Sequence, residues 1–181
     1  MNINSRSVLI DTVWPGTGLL RETILLAGGT IAVAFLSKIQ LPLVPVPITG
    51  QTLGVLLAGA LLGSKRGAIS MIIYLVLGAV GIPVFAGIHP GVAAFLGPTG
   101  GYLLGFVPAA FLVGWLSEKG FNKSVLSTIF GMSLGTILIY LTGGLWLARF
   151  TGWDQVLKLG VLPFLPGDLL KIFLATILLP T

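Results

Sequence analysis

Hydrophobic residues fill long blocks along this chain, and polar residues gather at the joints between them. The blocks run over about 19–37, 49–62, 67–82, 99–116, 124–147 and 162–179. Apolar runs that approach the thickness of a bilayer core read as membrane helices. The pattern therefore predicts an all-α fold, a single polytopic membrane domain over 1–181 with six transmembrane helices and an N-terminal tail at 1–18. The first block carries Ala27, Gly28, Gly29, Ala32 and Ala34, and Gly28 and Ala32 lie one turn apart on a smooth face. Small residues four apart let another helix approach closely. That face suits packing within the chain or docking on a partner membrane protein. Gly54, Ala58, Gly59, Ala60 and Gly63 make a second smooth surface.

The joints differ in kind. Residues 38–48 hold Pro42, Pro45 and Pro47 and cannot continue a helix, yet they are apolar. They read as a lid on or in the membrane face. Ser64-Lys65-Arg66 is a tight basic turn. Residues 83–98 form a long uncharged connection with Phe85, Gly87, His89, Pro90 and Gly97, and its apolarity suggests a re-entrant or cavity-covering loop. Trp14 in the tail is either an interface anchor or a loosely held residue.

Composition sharpens this reading. Only 8% of residues are charged, against roughly 25% in a soluble domain. A mean hydropathy of +1.06 agrees, so the chain belongs in the cell membrane as a multi-pass protein. The net charge of +5 is spread thinly, with no basic cluster, and does not point to nucleic acid. Six spans put both termini on one side. Arg6, Arg21, Lys65, Arg66, Lys119 and Lys123 would share that side, against Lys38, Arg149, Lys158 and Lys171 on the other, so both termini are expected in the cytoplasm. The polar 1–18 stretch does not read as a signal peptide.

Candidate chemistry is sparse. The chain has no cysteine and one histidine, which removes disulfides, thiolate nucleophiles and histidine-pair metal sites. No nucleophile elbow, zinc-protease or phosphate-loop motif occurs, so no enzyme, metal or cofactor is expected. What stands out is Pro166-Gly167-Asp168-Leu169-Leu170-Lys171, a carboxylate and an amine three residues apart in the last apolar block. That spacing puts both on one side of a helix. The proline and glycine mark a helix start with Asp168 at or near the N-cap. A pore-facing polar corner is one reading; a helix-start carboxylate with a snorkelling lysine is the other. Asp168 to Leu179 covers only about 18 Å, so this helix starts before Pro166 or sits in a sheltered place near one membrane face. Tyr102 and Thr99 are either ligand hydrogen-bonders or interface anchors. Gln51 meets either a neighbouring helix or a ligand, and His89 is either loop material or a proton switch.

Three stretches together resemble a known family: Pro45-Val46-Pro47-Ile48-Thr49-x-Gln51-Thr52, Gly97-Pro98-Thr99-Gly100-Gly101-Tyr102, and Pro166-Gly167-Asp168-x-x-Lys171. They resemble BioY, the biotin-specific S components of energy-coupling-factor (ECF) vitamin transporters, over nearly all of the chain beyond Gly18. The resemblance implies six helices with cytoplasmic termini and biotin held near the outer face. It implies that Asp168 hydrogen-bonds the ureido ring and that Lys171 meets the valerate carboxylate or orients Asp168. Gln51, Phe85, His89, Thr99, Gly101 and Tyr102 would complete the biotin site, with the proline-rich loop as its cap. Gly28 and Ala32 would dock on a transmembrane coupling subunit served by two ATPase subunits. Gly50 departs from the leucine-like residue the family leads one to expect, and the loop at Ile88 and His89 is less polar. An S component for another small vitamin, an intramembrane enzyme on a lipid substrate, and a purely structural subunit are the competing readings.

Overall fold

The computed structural model describes residues 8–87 and 91–179. Among them the chain forms nine helices and one short hairpin: α1 (Leu9–Val13), α2 (Leu19–Leu36), β1 (Gln40–Leu41), β2 (Ile48–Thr49), α3 (Gln51–Leu62), α4 (Ser64–Ala79), α5 (Ala93–Leu96), α6 (Gly100–Glu118), α7 (Val125–Thr151), α8 (Trp153–Gly160) and α9 (Leu165–Leu178).

Helix α6 is the hub, packing on α3, α4 and α7. Its glycines explain how. A Cβ on Gly101 would come within 2.5 Å of the Thr142 carbonyl oxygen of α7. From the facing side, a Cβ on Gly59 of α3 would meet the Ala110 carbonyl oxygen of α6 at 2.5 Å. Backbones this close need residues without side chains. Helix α2 lies against α3 and α4, and α9 against α7 and α3. Gly50 has its own reason: a Cβ there would sit 2.7 Å from the Leu36 carbonyl oxygen, so the leucine-like residue expected at that position has no room.

Six membrane spans do not appear among the described residues. There, only α2, α6 and α7 are long and apolar enough to cross a membrane, or four if α8 and α9, bent by 48° at their junction, count as one broken span. The physical reason is helix length. Gly63, at φ +90°, ends α3 after 12 residues, and α4 runs only 16 residues from Ser64. The 12 residues of α3 reach only about 18 Å, well short of a core about 30 Å thick. The 14 residues of α9 fall short in the same way. The chain is still all-α, apart from the two-residue strands, and a multi-pass membrane protein. Its outer surface is rich in exposed Leu, Ile and Phe, among them Leu20, Ile31 and Phe35 of α2.

Residues 9–13, inside the stretch read as a tail, form α1, and Arg21 explains why. Its Nε donates to the Trp14 carbonyl at 2.9 Å and its Nη2 to Asp11 Oδ1 at 2.9 Å. Arg66 adds Nη1 to Asp11 at 2.8 Å and Nε to Glu22 Oε2 at 2.7 Å. Val8 is buried beneath this clamp. Burial alone would raise the Asp11 pKa; hydrogen bonds from Arg21 and Arg66 outweigh it and hold the carboxyl below its ordinary value. At the same end, Glu118 Oε1 of α6 accepts from the Ser64 N–H and hydroxyl, both at 2.7 Å, and so caps α4.

Candidate binding site

A mostly apolar cavity lies at the opposite end of the bundle from that clamp, where α3, α6 and α9 begin. The space between its atoms, open mouth included, is about 630 Å³. Its wall is mostly aromatic and aliphatic: Phe85, Phe106, Ile139 and Phe164 line it, with the rings of Tyr102 and Tyr140. Val46, Pro47 and Thr49, from the proline-rich stretch and β2, close one side.

One polar corner breaks this wall. Helix α9 starts at Leu165, so Pro166 falls in its first turn, where it costs little, and Asp168 sits inside the helix rather than at the cap. From there Asp168 Oδ1 accepts from Lys171 Nζ at 2.9 Å. Lys171 also donates to Thr52 Oγ1 of α3 at 2.8 Å. Tyr140 of α7 donates its hydroxyl to Asp168 Oδ2. Asp168 is only 6% exposed, so these partners are what make a buried carboxylate tolerable. A carboxylate offers about four lone-pair positions. Two are used, which leaves acceptor capacity at the cavity wall for N–H donors.

Gln51 extends the polar edge. Its Nε2 donates to the Tyr74 hydroxyl, and its Oε1 accepts from Thr49 Oγ1 at 3.0 Å. So Gln51 meets a neighbouring helix and lines the cavity as well. Tyr102 spends its hydroxyl on the Gly160 carbonyl at 2.8 Å and offers the cavity its ring. Thr99 lines the mouth with its hydroxyl on the Ala94 carbonyl at 3.3 Å.

Of the residues singled out in the sequence, the structure brings Gln51, Phe85, Thr99, Tyr102, Asp168 and Lys171 to one cavity. Gly101 is not on its wall; it faces α7 and serves close helix packing. His89 lies outside the described residues. Gly28 and Ala32 are exposed on the outer side of α2, and a Cβ on Gly28 would meet nothing within 4 Å. That position is therefore not packed within the chain. Tyr140, Thr52, Phe106, Ile139 and Phe164 were not foreseen. A tyrosine hydroxyl inside an apolar run was the one available signal, since polar groups at such depth usually face the bundle interior. The others carry none. Among the described residues no group of three or more His, Asp or Glu could hold a metal.

Comparisons with known proteins agree on a family. A sequence model of the BioY family matches residues 6–181. The probable biotin transporter BioY of Pyrococcus horikoshii is 44% identical over 142 residues, covering 78% of this chain and 83% of that protein. The biotin transporter BioY of Rhizobium etli is 38% identical over 164 residues, covering 86% and 88%. A crystal structure of the S-component for biotin from an ECF-type ABC transporter superposes with a TM-score of 0.76 at 29% identity, over 91% of this chain and 93% of that one.

Proposed function

Since the chain belongs to the BioY family, we propose that it is the biotin-binding S component of an ECF-type uptake transporter, a transport component rather than an enzyme. The observation that carries this is the partnered Asp168 at the wall of an otherwise apolar cavity. Biotin is a largely apolar bicycle with one cyclic urea. The urea N–H groups need acceptors, and Asp168 supplies them; Gln51 offers further polar contact. The rings of Phe85, Tyr102 and Phe164 cover the apolar faces. Gly101 is assigned to the packing that sets α6 behind this site.

The end that carries Lys65, Arg66, Lys119 and Lys123 faces the cytoplasm in this reading, because basic residues concentrate on that side. Both termini belong there. Arg21 and Arg66 bind α1 at that end, and Leu179 lines a small void there with Ser117 in the last turn of α6 and Phe121 beyond it. The cavity then opens outward, toward incoming vitamin. Energy would come from a transmembrane coupling subunit, docked on the Gly28 and Ala32 face, and from two ATPase subunits.

Calorimetry on the purified full-length protein tests the assignment. Biotin binds with sub-micromolar affinity, while thiamine and riboflavin do not compete. Asp168→Ala weakens binding by roughly 10- to 100-fold, the value of a hydrogen bond to a charged group. Biotin binding unchanged in that variant, or absent from the wild type, removes the assignment.

A further inference from the structure

We propose that Lys38 is a positioning residue for the cavity, a staple that fixes the loop carrying Phe85 to the end of α2, beside the hairpin that forms the facing wall. The consequence for ligand rests on the biotin reading; the staple itself does not.

The loop over residues 83–87 has no charged residue and no regular secondary structure. Its backbone groups therefore need partners from elsewhere. Three consecutive carbonyls find them on side chains. Lys38 Nζ donates to the Pro83 oxygen at 2.6 Å and to the Phe85 oxygen at 3.0 Å. Between them, the Val84 oxygen accepts from Ser37 Oγ at 2.7 Å and from the Tyr74 hydroxyl at 3.0 Å. The Gly87 N–H then donates to Gln40 Oε1 at 3.0 Å. Gln40 belongs to β1, paired with Thr49 of β2 in register. Thr49 lines the cavity, as does Phe85. The two walls are thus joined through Ser37, Lys38 and Gln40 at the exit of α2.

An ammonium suits this place. It carries three donors and no acceptor, so one group can hold two carbonyls at once. Lys38 is exposed, so no buried charge is created. Phe85 itself is held by its ring, edge-on to Tyr74 with centroids 5.3 Å apart and to Phe95 at 5.5 Å. The aromatic seat fixes the side chain, and Lys38 fixes the backbone that delivers it.

The experiment uses the full-length protein in detergent with Lys38→Met, Lys38→Arg and, as a control on the opposite end, Lys65→Met. Hydrogen exchange over residues 84–87 is measured without biotin, and biotin dissociation is followed with labelled vitamin. Lys38→Met is expected to speed exchange in this loop and biotin dissociation by about fivefold each, with association little changed, as loss of a charged hydrogen bond at an exposed site implies. Lys38→Arg restores both, and Lys65→Met alters neither. Wild-type exchange in Lys38→Met overturns the staple. Faster exchange with unchanged dissociation overturns its role in holding ligand. A wild type that does not bind biotin removes the transport reading, while the exchange measurement still decides the staple.

Discussion

Lys171 divides its ammonium between Thr52 Oγ1 and Asp168 Oδ1, at 2.8 and 2.9 Å. Two of its three donors are engaged by protein, and both contacts hold it beside the carboxylate. Those two contacts favour the reading in which it orients Asp168 over the one in which it binds the acid end of biotin. Biotin and its neutral amide separate the two roles. If Lys171 orients Asp168, Lys171→Met weakens both ligands by the same factor, roughly tenfold or more. A loss confined to the acid form, measured in the same titrations, would assign Lys171 to the carboxylate. The pairing of Asp168 with Lys171 was legible in the sequence because a three-residue spacing fixes two side chains on one helix face. The rest of the corner was not. Thr52 lies 119 positions from Lys171, and Tyr140 lies 28 from Asp168. Local spacing carries no trace of partners that only the packing of α3 and α7 on α9 brings together. Gly101 shows the converse: it stands inside a recognisable motif, yet the need it meets is contact with α7.

At the scale of elements, apolar blocks revealed where helices would form but not how far each would reach. The long blocks behind α2, α6 and α7 had no internal break, and they became helices able to cross a membrane. The other blocks became α3, α4 and α9, while α8 lies outside every block, before the turn that follows Gly160. A hydropathy pattern marks an apolar block but not the residue at which its helix starts or stops. Helix α1 was hidden for a different reason: five residues are too few to show a period, and its stability comes from Arg21 and Arg66, distant in sequence. This origin gives α1 a pH dependence. The Asp11 pKa is depressed in the folded state, so its stabilising contribution is complete above the ordinary value of 3.8 and is lost as pH falls through the lower folded value. Acidification from neutral pH to below about pH 4 should therefore release α1 before the bundle unfolds. Faster hydrogen exchange over 9–14 with unchanged exchange in α6 would report it. Arg66→Met should raise the pH of that release. Exchange over 9–14 that stays flat down to the pH of global unfolding would show that α1 is held by Val8 and not by its charges.

The whole molecule separates its tasks by end and by face. One end gathers the charged clamp of Asp11, Arg21, Glu22 and Arg66, and the other the cavity with Asp168. Helix α2 joins them: its first turn carries Arg21 and Glu22, and its last leads into Ser37 and Lys38 against the Phe85 loop. Its inner face, with Leu25, Gly29 and Val33, packs on α3 and α4, while its outer face presents Gly28 and Ala32 to the surroundings. A smooth strip on lipid-facing surface gains little from lipid, whose chains cannot match a flat groove as closely as another helix can. Assigning this strip to the coupling subunit makes a prediction that separates assembly from binding. In the double variant Gly28→Leu and Ala32→Leu, the added side chains point away from the bundle, so the isolated protein should bind biotin as the wild type does and keep its thermal stability. Co-expressed with a coupling subunit and two ATPase subunits, the same variant should fail to co-purify with them, and ATP-dependent biotin uptake should fall to background. Undiminished co-purification and uptake would move the docking surface elsewhere on the bundle, while weakened biotin binding in the isolated variant would mean that the outer face of α2 reports to the cavity through Ser37 and Lys38.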